Sequence, residues 1–255
     1  MPSLHDLISL RGRRAVVTGG ARGLGQAIAE RLAEAGADVL LGDLDADLAA
    51  KAAADLAARY GVKAIGTHMD VTDSASVAAA AGLLDSLEIW VNNAGVFPSV
   101  PLLEMTDEAW DAVFAVNARG VFVGTREAAR RMTGGGVVVN IISTAGFRAS
   151  APGLAAYVGS KHAARGLTRE MAVELAPRGI RVLGVAPSFV PTEGTMAAAA
   201  ALMTGDIPPT PLMMTSPIGR PGTPDDIARV ALFCASDLSC FMTGSTLLAD
   251  GGETA

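Results

Sequence analysis

The sequence predicts an α/β fold, a doubly wound parallel sheet of about seven strands flanked by helices. Three observations carry this prediction. Short apolar, β-branched runs alternate with helical patterns along the whole chain. Those runs are unbroken rather than alternating in polarity, as in strands buried on both faces. A glycine-rich turn follows the first run and opens the first helical pattern. Each strand–helix–strand unit then makes a right-handed crossover, and ligands gather at the carboxyl ends of the strands.

In order, Arg14–Gly20 (RAVVTGG) is the first strand and ends in glycines. Leu24–Gly36 has helical spacing and stops at a glycine. Ala37–Asp43 is the second strand, Asp45–Tyr60 an amphipathic helix and Val62–Asp70 the third strand. Asp73–Leu87 is helical, and Glu88–Gly95 is a strand running into a turn. Thr106 caps one long helix through Met132, and Val137–Ser143 is the fifth strand. Leu154–Ala176 is a helix halted before Pro177, and Ile180–Pro187 is the sixth strand. Asp225–Ser236 is the last helix and Ser245–Asp250 the last strand. No composition break divides residues 1–255, so one domain is expected. Residues 188–221, rich in Met, Ala, Pro and Thr, interrupt the last crossover, and a loop of that length is read as functional.

Half of the 255 residues are apolar and the net charge is −6. A core is therefore affordable in area, and disorder is not expected. Nucleic-acid binding needs a basic patch, which this balance disfavours. No run reaches the roughly 18 apolar residues of a membrane span. The first residues lack the pattern of a secretory signal. Cys234 and Cys240 make no disulfide framework, and His5, His68 and His162 lack ligand spacing. No metal site and a reducing, cytoplasmic location are expected.

TGGARGLG (Thr18–Gly25) has the context of a dinucleotide site: a strand before, a helix after, an acid about 20 residues on. Gly19, Gly23 and Gly25 let the backbone approach a pyrophosphate, and the helix N-terminus offers free N–H groups. Asp43 ends the second strand, where a carboxylate accepts ribose hydroxyls and repels a 2′-phosphate. Arg22 pulls the other way, towards a phosphate. NAD is favoured over NADP because the strand end fixes Asp43. Asp70 could bond an adenine amino group, with the Val71 backbone beside it. NNAG (Asn92–Gly95) ties neighbouring strands and leaves a glycine turn under the cofactor.

Tyr157 and Lys161 are four apart on a helix and share a face. An ammonium one turn away favours the phenolate and lowers a pKa that is otherwise near 10. That would make the tyrosine usable for proton transfer. An isolated pair at this spacing is more often a surface pair. Ser143, at the carboxyl end of the fifth strand, is placed to orient a carbonyl or alcohol oxygen.

Together TGGARGLG, NNAG, a serine ahead of YVGSK and the late DGG (Asp250–Gly252) resemble the short-chain dehydrogenase/reductase family over essentially the whole chain. The resemblance implies a Rossmann oxidoreductase, often tetrameric. Tyr157 would be its acid/base, Lys161 would bind the nicotinamide ribose, and Ser143 would position the reacting oxygen. Asn117, in VNARG, matches a fourth catalytic residue that supports a water relay behind the lysine. Thr192 matches the threonine on the nicotinamide carboxamide, joined by the Val190 backbone. The expected dinucleotide contacts are Gly19, Arg22, Gly23, Leu24, Gly25, Asp43, Asp70, Val71, Asn93, Ala94, Gly95, Tyr157, Lys161, Pro187, Val190 and Thr192.

The sequence also departs from the family. Pro187-Ser188 replaces the usual Pro-Gly, and serine lacks glycine's freedom at positive φ. The asparagine common in the sixth strand is replaced near Leu183 and Gly184. The gap from Ser143 to Tyr157 is one residue longer than the commonest, which makes Thr144 a second candidate for the hydroxyl role.

Phe97, Phe147, Leu154, Phe189, Met196, Met203, Met213 and Met214 are candidates for the substrate wall, and an apolar alcohol or ketone is expected. Arg148 is read as a solvated loop residue rather than a carboxylate anchor. The expected function is interconversion of a secondary alcohol and a ketone with NAD(H), in a homotetramer or homodimer. The alternatives are an NADP(H)-dependent biosynthetic ketone reductase and a dinucleotide-binding sensor without turnover.

Overall fold

A computed structural model describes residues 1–196 and 216–255. Met203, Met213 and Met214 therefore lie outside the described residues, as does most of the predicted substrate loop. The strands are β1 (Arg14–Thr18), β2 (Asp38–Asp43), β3 (Ala64–His68), β4 (Ile89–Asn92), β5 (Gly136–Ile141), β6 (Ile180–Pro187) and β7 (Thr246–Ala249). All pairings are parallel, in the order β3-β2-β1-β4-β5-β6-β7. The helices are α1 (Leu4–Ile8), α2 (Gly23–Glu34), α3 (Ala46–Tyr60), α4 (Ser74–Ala81), α5 (Asp107–Phe114), α6 (Gly120–Arg131), α7 (Ala155–Leu175) and α8 (Pro224–Ala235).

The apolar runs explain the layers. Because side chains alternate across a strand, Val17, Leu41, Val91, Val139 and Leu183 face one side and pack against α2, α3 and α8. Val16, Leu40, Trp90, Val138 and Val182 face the other, against α4, α6 and α7. Burying each such side chain contributes about 1.5–3 kcal/mol. This is why the inner strands read as apolar at consecutive positions, whereas the edge strands β3 and β7 are only partly buried. The chain leaves β1 towards β2 and β3, then returns to β4 on the other side of β1. That reversal opens a crevice at the carboxyl ends of β1 and β4.

Two helical predictions are corrected. The helix predicted over Asp73–Leu87 is only Ser74–Ala81, capped by Asp73 and closed at Gly82. The helix predicted from Thr106 to Met132 does start at a Thr106 cap, whose Oγ1 accepts from Ala109 N at 3.2 Å. It is interrupted, however, by a π-turn at Ala115–Arg119. Such a turn frees a side chain from the regular spiral and commonly marks a functional site. Here it carries Asn117.

A buried polar chain locks β4 and β5 to the helices: the strand tie expected of Asn92 is present, and its extension to Trp90, Asn140 and Thr168 was not foreseen. Trp90 Nε1 donates to Asn92 Oδ1 at 2.7 Å, and Asn92 Nδ2 donates to Asn140 Oδ1 at 2.8 Å. Asn140 Nδ2 donates to Thr168 Oγ1 at 2.9 Å, which in turn donates to Ala164 O at 2.8 Å. The available signal was an asparagine inside the apolar VVVNIIS run, in register with Asn92. Cys234 is buried and Cys240 exposed, both as free thiols.

Candidate active site

The glycine turn between β1 and α2 is held from three sides. Gly19 and Gly23 adopt φ of +61° and +57°, the left-handed region in which side chains are strained. At Gly25 a Cβ would lie 2.1 Å from Gly19 O and 2.5 Å from Asn93 Nδ2. Asn93 Nδ2 donates to Thr18 O (2.9 Å) and Gly19 O (3.0 Å), while Thr18 Oγ1 accepts from Asn93 N and Ala94 N. The NNAG turn thus grips the end of β1 and carries Gly95 beside it. Asp43 Oδ2 accepts from Ala21 N at 3.1 Å, which ties β2 to the same turn. Arg22 is the exposed residue before α2, where it makes no side-chain cap, and Leu24 lies in the first turn.

Further along the crevice, Asp70 Oδ1 accepts from Thr72 N (2.8 Å) and Thr72 Oγ1 (2.7 Å). Those bonds hold its carboxyl below the ordinary carboxylate pKa. Val71 packs against Gly120 at the end of the π-turn.

At the carboxyl end of β5, Ser143 Oγ accepts from Ala145 N at 3.1 Å. Its own hydrogen is then free to face the neighbouring Tyr157 hydroxyl, whose pKa Ser143 draws down. Thr144 is buried in the short turn that follows. The extra residue between Ser143 and Tyr157 is absorbed without moving the contact to Thr144. Phe97 meets the Tyr157 ring edge-on, with centroids 6.1 Å apart.

The structure corrects the expectation that Lys161 lowers the Tyr157 pKa. Burial pushes the Tyr157 hydroxyl up, and the neighbouring Ser143 opposes the rise without cancelling it. Lys161 is almost fully buried, and its Nζ donates to Ile141 O at 3.0 Å, lying 5.7 Å from the Tyr157 ring centroid. Burial pushes its own pKa down to about 8. The reason is packing: α7 aims the ammonium at the end of β5 instead of at the phenol oxygen, and desolvation outweighs the charge effect.

Asn117 is fully buried. Its Oδ1 accepts from Val96 N (2.9 Å), and its Nδ2 donates to Val96 O (2.7 Å) and Ser160 Oγ (3.1 Å). Its side chain therefore pins the NNAG exit to α7, and none of these hydrogen bonds goes to Lys161.

The glycine cradle, the buried ammonium with a single protein acceptor, and the Ser143–Tyr157 pair fit a nicotinamide dinucleotide. Comparison with known proteins agrees. Residues 19–254 match the family model described as enoyl-(acyl carrier protein) reductase. A 3-oxoacyl-[acyl-carrier-protein] reductase of Aquifex aeolicus is 36% identical, over 96% of this chain and 98% of its own. A short-chain type dehydrogenase/reductase of Mycobacterium marinum superposes with a TM-score of 0.88 at 33% identity, covering 99% of this chain and all of its own. The chain belongs to the short-chain dehydrogenase/reductase family. A gluconate 5-dehydrogenase of Burkholderia cenocepacia, solved with NADP and tartrate, superposes with a TM-score of 0.87 at 34% identity, over 99% of both chains.

Against the short-chain dehydrogenase/reductase pattern, the departures at β6 prove local. Ser188 does not adopt positive φ, so serine is unstrained there. At Gly184 a Cβ would sit 2.6 Å from both Ile142 Cδ1 and Thr246 Oγ1, so this strand leaves no room for a longer residue. Pro187 and Val190 are buried at its end, and Thr192 lies across the crevice from Gly23, its Cβ 3.6 Å from where a Gly23 Cβ would be. Of the wall candidates, Leu154 is buried, Phe147 and Phe189 are half-buried, and Met196 is exposed. Arg148 is ion-paired with Glu253 of the DGG turn. No helix among the described residues is long and apolar enough to cross a membrane.

Proposed function

We propose that this oxidoreductase interconverts a secondary alcohol and a ketone, with NAD(H) as partner. The observation that carries the reading is the Ser143–Tyr157–Lys161 arrangement at the carboxyl ends of β5 and the crevice. The dinucleotide supplies or accepts the hydride. Tyr157, whose raised pKa keeps it a neutral phenol, donates its proton to the ketone oxygen and recovers it in the reverse direction. Ser143 orients that oxygen. Lys161 offers its free N–H groups to ribose hydroxyls, and Asn117 positions the floor of the site through Val96. The 3-oxoacyl and gluconate relatives both fit carbonyl–carbinol chemistry. Phe97 against Tyr157, with Arg148 already neutralised by Glu253, favours an apolar, uncharged substrate. Exposed Leu102, Leu103, Phe122 and Phe241, and exposed Leu248 on the edge strand β7, suit assembly into a homotetramer or homodimer.

Paired fluorescence titrations with NADH and NADPH test the reading. NADH is expected to bind more tightly, and Asp43→Ala to narrow or reverse the preference by about tenfold, the scale of one charge-assisted bond. Binding of neither dinucleotide overturns the reading. The second reading, an NADP(H)-dependent ketone reductase, is favoured by the exposed Arg22 at the start of α2 and by the NADP complex of the gluconate 5-dehydrogenase. Tighter NADPH binding that Arg22→Ala abolishes selects it.

Lys161 adds a pH dependence. The ammonium is the bonding form, and it exists below a pKa of about 8. NADH affinity is therefore expected to fall as pH rises through about 8 and to become flat in Lys161→Met. A flat wild-type profile from pH 6.5 to 9.5 would remove the lysine from cofactor binding.

A further inference from the structure

We infer that Thr195 is a positioning residue that fixes the turn Val190–Thr192 in the shape needed to hold a nicotinamide carboxamide. The inference rests on the dinucleotide reading above. Four contacts centre on its hydroxyl. Thr195 Oγ1 accepts from Thr192 N at 2.7 Å, donates to Val190 O at 2.8 Å and lies 3.1 Å from both Thr192 O, a second acceptor, and Thr192 Oγ1. Another bond runs the other way, from Thr195 N to Thr192 Oγ1 at 3.2 Å.

The bookkeeping of protons gives the arrangement a direction. A hydroxyl has one hydrogen and two acceptor sites. Thr195 places its hydrogen on Val190 O and one lone pair on Thr192 N, so the contact between the two hydroxyls takes the Thr192 hydrogen. Thr192 Oγ1 also receives the Thr195 N–H and keeps one lone pair. That lone pair is an acceptor for the NH2 of an amide. Thr192 also faces Gly23, so this acceptor borders the crevice.

A second feature belongs to the same turn. The turn begins at Ser188, where the family has glycine, and Ser188 sits at an ordinary φ. The serine is accommodated without strain, and cross-bonds from Thr195 hold the turn at Val190 and Thr192 closed. Among the described residues nothing lies within 4 Å of where a Gly194 Cβ would be.

Thr195→Val keeps the shape and removes the hydroxyl, whereas Thr195→Ser keeps the hydroxyl. The probes are NADH and ADP-ribose, which lacks the nicotinamide; if NADPH binds wild-type protein more tightly, NADPH and 2′-phospho-ADP-ribose replace them. Thr195→Val is expected to weaken the dinucleotide about tenfold, the scale of one to two net hydrogen bonds, and to leave the ADP-ribose probe within twofold. Thr195→Ser is expected to stay within twofold for both. Equal weakening of both probes, or none for the dinucleotide, overturns the inference while leaving the proposed function intact. Failure of wild-type protein to bind either dinucleotide overturns both.

Discussion

Tyr157→Phe is expected to bind NADH within about twofold of wild type and to lose turnover by about 10³-fold, within the range of a general acid/base. The substitution removes one oxygen. The ring remains, so its edge contact with Phe97 and its place on α7 persist. What is lost is the phenolic proton beside Ser143, which a buried, neutral tyrosine holds ready for transfer. Lys161 cannot substitute, because its Nζ points to Ile141 O at the end of β5 and lies 5.7 Å from the Tyr157 ring centroid. Single-turnover kinetics with NADH and a ketone would separate the proton step from binding. Turnover within tenfold of wild type would reject Tyr157 as the acid.

Gly25→Ala is expected to lower the melting temperature and weaken NADH binding by about 100-fold or more. Two effects compete. Alanine favours a helix interior over glycine by about 1 kcal/mol. Against this, the new Cβ would be 2.1 Å from Gly19 O and 2.5 Å from Asn93 Nδ2, far inside contact distance. Overpacking of that kind costs about 1–3 kcal/mol. Relief requires the turn to shift away from Asn93, which sacrifices bonds at 2.9 and 3.0 Å worth about 1 kcal/mol each. The clash therefore wins, and it falls on the backbone that must approach a pyrophosphate. Thermal unfolding together with NADH titration checks this. An unchanged affinity would mean that the turn has slack that the packing does not suggest.

Much of the site was legible because its chemistry is local. The order of strands and helices follows from periodicity, since a buried strand must be apolar at consecutive positions and a helix apolar on one stripe. The TGGARGLG turn, the Asp43 strand end and the Tyr157–Lys161 spacing are each contained within about one element, so near neighbours in sequence reveal them. The boundaries that failed were those decided by distant partners. Nothing local ends α4 at Ala81 beyond Gly82, and nothing in VNARG announces a π-turn. That turn is held by Asn117 reaching Val96, 21 residues back, and Ser160, 43 residues on.

By itself the sequence determined the α/β class, the order of elements, the glycine turn and the set of residues that meet at the strand ends. Only the tertiary structure decided which way those residues act. It turned Lys161 towards Ile141 and away from the phenol oxygen, chose Ser143 over Thr144, neutralised Arg148 with Glu253 and joined Trp90, Asn92, Asn140 and Thr168 in one buried chain. The physical reason is the range of the forces involved. Propensity, capping and periodicity act over a few residues. Desolvation and hydrogen-bond direction depend on every group packed around an atom, and those groups come from segments far apart in the chain.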